Sequence, residues 1–512
     1  MLREAARFRL RTAAELAQLH EDLLFIVAFP SSLAARRQAR SMLRAIAQRV
    51  RALPRAHRAR LDDSGVAGSV TRHVFPFPIA RLLAHGERAA IEWRDVEDES
   101  SLDGVVRPLL APAAQEAFDS GEFGTREFVE LARPADAASE LAWLTSRPAT
   151  ADAWDDAEVT VAWHLGDSRR SVTHNALPGI APVVRERMRR PDKDIVAAVA
   201  TPLEKIELLP RREASRVIEC ARAALAARCR EVNAMTYPNP DEVWWCDLGD
   251  GAALAVIGIA PAHRLTLETN TGYLLLSNGM PIGYGGVTPL FRQANTGINI
   301  FDPYRGSEAA YLWTQMLRAF HTLYGSRRFV VNPYQFGAGN AEAIQSGAFW
   351  FYYRLGFRPA DAQVAKQAAR EAARLAADRK HRSDARTLRA LASCDLYLDL
   401  PGYDPRDFFD ESLIARAGAR AARQLASDPR AVEASARDLG AAHLADWTRD
   451  EQRGFRMLAP IFAGLTWRGE EDRAALLAML RAKMLPHERT FALRSQKAQG
   501  AFRALARDLA AS

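Results

Sequence analysis

The sequence has few cysteines and no long hydrophobic run. Its 512 residues include four cysteines, and no two of them have the C-x-x-C spacing that is typical of zinc sites. We therefore expect reduced thiols and no metal. The apolar patch at residues 23–29 ends at Pro30, and no stretch reaches the ~20 apolar residues of a membrane span. Because the first residues also lack an apolar signal-peptide core, we predict a cytoplasmic protein without a membrane partner.

Lysine is also scarce. The basic residues are nearly all arginine, with lysine at only a few places such as Lys193, Lys205 and Lys366. Lysine and arginine together number 69 against 62 acidic residues, which gives a formal charge of +7. Because this excess is modest for so long a chain, it favours an ordinary solvated surface, and nucleic acid is a possible but not a favoured partner. The length predicts about two to four domains.

Residues 1–200 are predicted to form a mainly helical region. Within it, residues 33–53 combine helically spaced apolar positions with many arginines and stop at Pro54, which indicates an amphipathic basic helix. Such a helix could contact nucleic acid or a membrane surface, although packing against its own domain is the commoner role. Residues 70–78 contain two prolines and indicate an extended connection, whereas residues 159–164 alternate weakly like a strand.

Strand-like patterns dominate beyond residue 243. A helix is predicted over residues 210–233, with its proline tolerated in the first turn. The candidate strands that follow it are residues 243–248, 252–259, 272–277, 281–287 and 296–301. Between the third and the fourth lies Asn278-Gly279, the dipeptide most favoured in tight hairpin turns. These segments therefore predict a run of short antiparallel strands.

The pattern then becomes an alternation of helices and strands. The predicted order is helix 308–323, strand 328–332, helix 340–355, a charged helical insert at 360–392 and strand 395–400. Antiparallel strands followed by such an alternation indicate a mixed α/β sheet. We assign it to residues 203–400, with the best support over 244–400, and predict a helical C-terminal region at 405–512. The predicted fold class is thus α/β, with a central mixed sheet flanked by mainly helical regions.

The residues that suggest chemistry begin where the last antiparallel strand ends. Residues 301–312 place a tight turn that contains Arg305 and Gly306 directly before a helix. Such a turn directs free backbone N–H groups and the positive end of the helix dipole at one spot. This arrangement predicts an anion site that would suit a pyrophosphate.

A second segment, residues 340–357, begins with Asn340 and ends in Phe-Tyr-Tyr-Arg-Leu-Gly-Phe. This ending resembles the phenylalanine-tyrosine-x-basic-leucine-glycine-phenylalanine signature of the GNAT superfamily, the acyl-CoA N-acyltransferases. The turn around Arg305 and Gly306 is similar to the acyl-CoA pyrophosphate loop of that family. The resemblance covers less than a third of the chain.

The resemblance implies that acetyl-CoA or another acyl-CoA binds in a V-shaped split between two central strands. Its acyl group would pass to a small-molecule or protein amine, and Tyr352 would protonate the departing thiolate. Ile300 lies where the strand that pairs with pantetheine ends, and Asn340 lies near the pantetheine arm. The residues that would hold the pyrophosphate through their backbone are Arg305, Gly306, Ser307, Ala309 and Ala310.

Four further side chains are candidates for the site. Asn332, Tyr334 and Gln335 directly follow a predicted strand, where the family has its active site, so we expect roles in catalysis for Asn332 and in substrate binding for the other two. Turn chemistry is the alternative. Glu308 occupies a loop position at which the family has glycine. It is either a charge favoured by the helix dipole or a catalytic or substrate-binding group.

Three functions are compatible with these patterns. The leading hypothesis is an N-acyltransferase that uses acyl-CoA and needs no metal. The second is a Fem-like aminoacyl transferase that uses charged transfer RNA, which arginine-rich helices would suit. The third is a non-catalytic GNAT-like binding or scaffold module, in which Glu308 marks a lost acyl-CoA site. An open cleft beside residues 306–310 would favour the first, and a basic surface joining residues 33–53 to that cleft would favour the second.

Overall fold

The structure is a computed structural model. It describes residues 11–306, 308–405, 411–428, 430, 433–434, 437, 439, 444–462, 465 and 469–511. Within these residues a ten-stranded mixed sheet forms the centre, and a three-stranded sheet lies in the N-terminal region. The strands are β1 (Val70–Val74), β2 (Arg88–Ile91), β3 (Thr160–His164), β4 (Ile206–Leu208), β5 (Pro238–Gly249), β6 (Ala252–Ile259), β7 (Thr271–Ser277), β8 (Met280–Leu290), β9 (Gln293–Thr296), β10 (Asn299–Ile300), β11 (Arg328–Val331), β12 (Arg358–Pro359) and β13 (Leu396–Asp399).

Helices surround both sheets. Those of the N-terminal region are α1 (Ala13–Ala28), α2 (Leu33–Arg44), α3 (Ile46–Ala52), α4 (Arg55–Arg58), α5 (Phe77–Ala84), α6 (Asp103–Val106), α7 (Pro112–Asp119), α8 (Thr125–Ala132), α9 (Glu140–Leu144), α10 (Ala151–Asp156) and α11 (Ile195–Ala200). Those of the central region are α12 (Arg211–Ala226), α13 (Asn233–Thr236), α14 (Ala309–Tyr324), α15 (Ala341–Ser346), α16 (Ala348–Arg354), α17 (Ala362–Ala377) and α18 (Ala385–Leu391). Those of the C-terminal region are α19 (Glu411–Ser427), α20 (Arg449–Leu458), α21 (Glu470–Ala482), α22 (Glu488–Ser495) and α23 (Gln499–Ala511).

The central sheet has the strand order β12-β13-β11-β9-β8-β7-β6-β5-β4, and β10 pairs with β8. Neighbours from β4 to β9 are antiparallel, whereas β11 runs parallel to β9. The tight turn predicted between β7 and β8 is confirmed, because Asn278 and Gly279 have φ angles of 51° and 78°. The predicted fold class, a central mixed sheet flanked by helices, is likewise confirmed.

Two elements of the central region that were predicted as continuous are interrupted. The predicted strand 296–301 is divided into β9 and β10, because Gly297 and Ile298 leave the ladder between them. The predicted helix 340–355 is divided into α15 and α16 at Gly347, which adopts a left-handed conformation with φ of 65°. Glycine reaches that conformation without steric penalty. Both interruptions lie beside the cleft described below.

The N-terminal region contains more strand than predicted. Residues 70–74, expected to be an extended connection, form β1, which pairs with the predicted strand β3. The predicted basic helix 33–53 is two helices, α2 and α3, joined at Ala45. The predicted helix 210–233 ends at Ala226, shortly before Cys229, whose φ of 52° is incompatible with a right-handed helix.

The two flanking regions relate differently to the central core. One continuous hydrophobic cluster includes Leu23 and Trp163 of the N-terminal region together with Trp313 of α14. A second cluster lies mainly in the C-terminal region, around Phe455 and Phe502. The N-terminal region and the central sheet therefore share one core, whereas the C-terminal region has a core of its own.

The tip of the β7–β8 hairpin attaches the N-terminal region to the sheet. The Asn278 amide nitrogen donates to the Ala28 carbonyl at 2.9 Å and to the Val183 carbonyl at 3.1 Å. The Asn278 amide oxygen accepts from the Val183 N–H at 2.7 Å. A turn that would ordinarily face solvent is thereby buried, and its side chain is saturated with hydrogen bonds.

A buried group of charges attaches the C-terminal region. Lys483 donates to the Glu488 carboxylate at 2.6 Å, and both side chains are fully buried. Glu242, on β5, accepts hydrogen bonds from the backbone N–H groups of Glu488 and Arg489 at 2.7 and 2.8 Å. Burial raises the pKa of Glu242 to about 7 and lowers the pKa of Lys483 below its ordinary value. Buried charges of this kind persist only when they are paired.

Candidate functional site

A cleft of ≈ 1250 Å³ lies beside β10 and the start of α14. Nine of the twelve residues predicted for the site line it: Ile300, Arg305, Gly306, Ala309, Ala310, Tyr334, Gln335, Asn340 and Tyr352. The other three are Ser307, which lies outside the described residues, and Glu308 and Asn332, which do not line the cleft. The two sequence segments that suggested chemistry therefore lie on one concave surface.

The cleft begins where two neighbouring strands separate. β9 and β11 pair in parallel over only three positions, from Arg328 opposite Gln293 to Val330 opposite Asn295. Beyond them β10 pairs with β8, and β11 ends at Val331. Because no strand of the described residues lies between β10 and the end of β11, the edge at residues 298–300 borders the cleft.

The loop before α14 exposes backbone groups to the cleft. Gly306 has φ of 77°, and a β-carbon placed there would meet no described atom within 4 Å. The first turn of an α-helix leaves its backbone N–H groups without intrahelical acceptors, and no side chain among the described residues caps this end of α14. Since Ala309 and Ala310 line the cleft, the N-terminus of α14 can offer an anion both hydrogen bonds and the favourable end of its dipole.

Arg305 spans the mouth of the cleft. Its guanidinium is 2.9 Å from the Asp302 carboxylate in the same loop and 2.5 Å from the Glu342 carboxylate on α15. The Arg305 side chain is about half exposed. Exposed pairs of this kind are weak, so Arg305 can exchange these carboxylates for a bound anion.

Glu308 points away from the cleft. Only 1% of this residue is exposed, and its carboxylate accepts hydrogen bonds from the Arg185 guanidinium and, at 2.7 Å, from the backbone N–H of Arg189. It thereby ties the segment around residues 185–189 to the start of α14. The charge that would oppose a pyrophosphate is neutralised by an arginine from the N-terminal region.

Tyr352 lies beneath the gap between β9 and β10. The residue is 2% exposed and packs against the Trp313 ring, with centroids 5.6 Å apart. Burial raises the pKa of Tyr352, and the nearby backbone N–H of Ile298 partly offsets this effect. Its hydroxyl is therefore neutral at neutral pH. A second buried tyrosine, Tyr273, donates its hydroxyl proton to the Gly297 carbonyl in the same gap.

The remaining predicted side chains have mainly structural contacts. The Asn340 oxygen caps α15 by accepting from the Ala343 N–H at 3.1 Å, and the Asn340 amide donates to the Tyr334 carbonyl at 3.2 Å. Gln335 packs on the backbone at Gly297, where a β-carbon would lie 2.5 Å from the Gln335 side chain. Tyr334 is 59% exposed at the rim. Asn332 is exposed and precedes a short 3-10 helix, Pro333–Phe336.

The N-terminal region supplies a wall of the cleft that the sequence patterns did not indicate. The residues of this wall include His20 and Glu21 on α1 and Asp63 in the loop after α4. The His20 ring is 2.9 Å from the Thr173 hydroxyl, and burial lowers the pKa of His20 to about 3. This imidazole is therefore uncharged at neutral pH. No local motif marks these residues, because only the tertiary packing of α1 brings them to the cleft.

Arg228 is another lining residue that the patterns missed. Its guanidinium lies 3.9 Å from the centre of the Phe301 ring and donates to the Ala224 carbonyl at 2.8 Å. Burial lowers the pKa of Arg228 to about 10, so the group stays charged at neutral pH. Four arginines and five carboxylates line the cleft in all. The site is thus close to electrically balanced. Arg228 supplies local positive charge, whereas Arg305 is already paired with Asp302 and Glu342.

None of the residues at 33–53 lines this cleft, and no basic surface of that helix pair is part of it. In the part of the chain that the structure describes, no group of three or more His, Cys, Asp or Glu side chains could hold a metal ion. No helix among the described residues is long and apolar enough to cross a bilayer.

Comparisons with protein-family models, curated proteins and solved structures found no match to the chain.

Proposed function

We propose that the protein is an N-acyltransferase that moves an acyl group, acetyl in the simplest case, from acyl-CoA to an amine. The observation that carries the proposal is that nine of the residues predicted for the site, from separate parts of the sequence, line one cleft. The free thiols of the four cysteines suit the cytoplasmic location that we expect for the reaction.

The loop and the first turn of α14 would bind the pyrophosphate. Free N–H groups at a helix N-terminus favour anions, and the open space around Gly306 leaves room for close approach of phosphate oxygens. Arg305 and Arg228 supply the nearest positive charges. The orientation of Glu308 supports the same role, because its carboxylate is already paired with Arg185 and does not enter the cleft.

The proposed transfer needs one proton donor that this chain can supply. The amine nitrogen attacks the thioester carbonyl carbon, a carbon–nitrogen bond forms, and the carbon–sulfur bond breaks. The departing thiolate then takes the hydroxyl proton of Tyr352, the surplus proton of the amine passes to solvent, and the Tyr352 phenolate regains a proton from solvent before the next turnover. Burial raises the pKa of Tyr352, so the phenol keeps its proton at neutral pH and has one to donate, although it is a weaker acid than an exposed tyrosine.

The first test is calorimetric titration of the protein with acetyl-CoA and with CoA. We expect micromolar binding by the native protein and at least about a tenfold loss in Gly306→Asp, because a carboxylate there would repel the pyrophosphate. Gly121→Asp is the matched control, since Gly121 also has a positive φ, 68°, and open space where a side chain would begin. Absence of binding by the native protein would exclude the acyl-CoA hypothesis.

The second test is turnover with a panel of amines, which is measured through the release of the free thiol of CoA. Tyr352→Phe keeps the buried ring and should lower kcat by about 100-fold with little change in acetyl-CoA affinity. Tyr353→Phe is the control, because Tyr353 is adjacent on α16 but does not line the cleft. Tight acetyl-CoA binding without turnover of any amine would favour a non-catalytic module instead.

A further inference from the structure

A second concave surface, of ≈ 1110 Å³, lies between α2, α3, the loop after β3 and α12. None of its lining residues lines the acyl-CoA cleft. We call it the arginine pocket. Its basic side chains are Arg44, Arg51, Arg169, Arg170, Arg216 and His174.

The arginine pocket concentrates positive charge. Its five arginines face two lining carboxylates, so its formal charge is +3, whereas the entire chain has +7. Asp167 lies 3.7 Å from Arg51, and Glu219 lies 2.7 Å from Arg170. Both carboxylates are therefore already engaged, and they do not neutralise the rest of the pocket.

Three guanidinium groups of the pocket have no acidic partner in the described part of the chain. Among the described residues, no carboxylate oxygen lies within 4.0 Å of Arg44, Arg169 or Arg216. These arginines come from three different elements, α2, the loop after β3 and α12, and converge on one concavity. All three are exposed to solvent, so an anion that enters the pocket can reach each of them, and salt should weaken its binding.

The floor of the arginine pocket is ordered by hydrogen bonds. The Asn175 amide donates to the Cys220 carbonyl on α12 at 2.9 Å and is buried. Arg170 is fixed by Glu87 at 2.8 Å as well as by Glu219. Burial lowers the pKa of His174, an effect that Asp167 opposes and Arg44 reinforces, so this ring is neutral at neutral pH. The arginine pocket is thus a concave surface whose base is held in place by hydrogen bonds and ion pairs.

We propose that the arginine pocket binds a phosphorylated small molecule of about nucleotide size. Guanidinium groups match the planar, bidentate geometry of phosphate oxygens. The volume is far larger than a single phosphate ion needs, and it lies slightly above the usual range of roughly 300–1,000 Å³ for small-molecule sites. A nucleic-acid interface would instead need a basic stripe that follows several phosphates, whereas here the three arginines face one cavity. The proposal does not depend on acyl transfer.

The test is calorimetric titration of the full chain with ADP at low salt, with adenosine as the phosphate-free control. We expect ADP to bind and adenosine not to bind. The double variant Arg169→Gln with Arg216→Gln should weaken ADP binding at least about tenfold, because it removes two charge-assisted contacts. Arg212→Gln, on α12 but outside the pocket, should leave the affinity unchanged.

Since CoA itself contains an ADP moiety, Arg305→Gln distinguishes the two cavities. We expect this variant to keep full ADP affinity at the arginine pocket. Loss of ADP binding in Arg305→Gln, with retention in the double variant, would place the anion in the acyl-CoA cleft and overturn the proposal. Failure of ADP to bind the native protein would also overturn it. A single-stranded RNA could instead bind more tightly than ADP, with a steep dependence on salt, and lose its binding in the double variant. This result would show that the pocket binds nucleic acid and would overturn the proposal of a small molecule.

Discussion

The two helical regions that flank the sheet have different relations to the cavities. The N-terminal region shares the central core, supplies His20 and Glu21 to the cleft and provides the arginine that pairs with Glu308. No described residue of the C-terminal region lines either cavity, and that region has its own core. It is attached through buried charges at Lys483 and Glu488.

This difference shows that similar amphipathic helices can have unlike roles. Packing an apolar stripe on a sheet leaves the polar face free, so the elements adjoining that face decide whether the helix contributes to a site. α1 packs beside β8 and the loop that follows β10, so its polar residues reach the cleft. We infer that changes in the N-terminal region alter both stability and ligand binding, whereas changes in the C-terminal region alter stability alone.

The largest effect is expected for Lys483→Met. Removing this buried cation takes away the hydrogen-bonded partner of the Glu488 carboxylate and leaves only the Arg264 guanidinium, 3.8 Å away, which should lower the free energy of unfolding by about 3 kcal/mol. Urea denaturation measures the change, and Lys497→Met, at an exposed position, is the control. Adding Glu488→Leu to Lys483→Met should recover much of the loss. Weakened acetyl-CoA binding in a Lys483→Met sample that is fully folded would contradict the division of roles.

A somewhat smaller effect is expected for Glu308→Gln. The substitution removes the charge that pairs with Arg185 but keeps an acceptor for the Arg189 N–H, so we expect a loss of about 2 kcal/mol. Acetyl-CoA binding should also weaken several-fold, because this contact holds the start of α14 in place. Glu342→Gln, which breaks an exposed pair, should change stability by less than about 1 kcal/mol. If Glu308→Gln binds acetyl-CoA with unchanged affinity, the contact of Glu308 with the N-terminal region does not contribute to binding at the site.

Acid should weaken the N-terminal region first. The pKa of His20 is lowered from 6.5 to about 3 by burial, so the folded state binds this proton less readily than the unfolded state. The stabilisation is present above about pH 6.5 and is lost as the pH falls towards 3. Amide-exchange protection in α1, corrected for intrinsic rates, should fall over this window, and His20→Gln should reduce the slope. If amide protection in α1 falls equally steeply with pH in His20→Gln, groups other than His20 cause the pH dependence.

A second pH effect is expected for Glu242, and it has the opposite sign. Burial raises the pKa of Glu242 from 4.5 to about 7, so the folded state holds this proton more tightly than the unfolded state. The contribution is present below about pH 4.5 and is lost as the pH rises through 7. Amide protection in α22 should therefore decrease over this window, and the pH dependence of this protection should be flatter in Glu242→Gln. A decrease in α1 instead of α22 would contradict the assignment.

The central sheet was predictable because its signals are local. The apolar run at 252–259 became β6 with the same bounds, and Asn278-Gly279 formed the expected turn. The two motif segments also predicted most of one wall of the cleft. By contrast, the partner of Glu308 lies 123 positions away in the sequence, and His20 reaches the cleft through packing alone. The break at Gly297 depends on Tyr273 and Gln335, which no periodicity near residue 297 could indicate.

The bond between Asn278 and Ala28 also has a consequence for synthesis of the chain. The two residues are 250 positions apart, and a ribosome adds roughly 5–20 residues each second. α1 therefore emerges roughly 12–50 s before the hairpin that holds it has been made. During this interval the apolar face around Leu16, Leu23 and Leu24, which is fully buried in the finished fold, has no sheet to cover it. The nascent N-terminal region therefore exposes, for this interval, hydrophobic surface of the kind that chaperones shield.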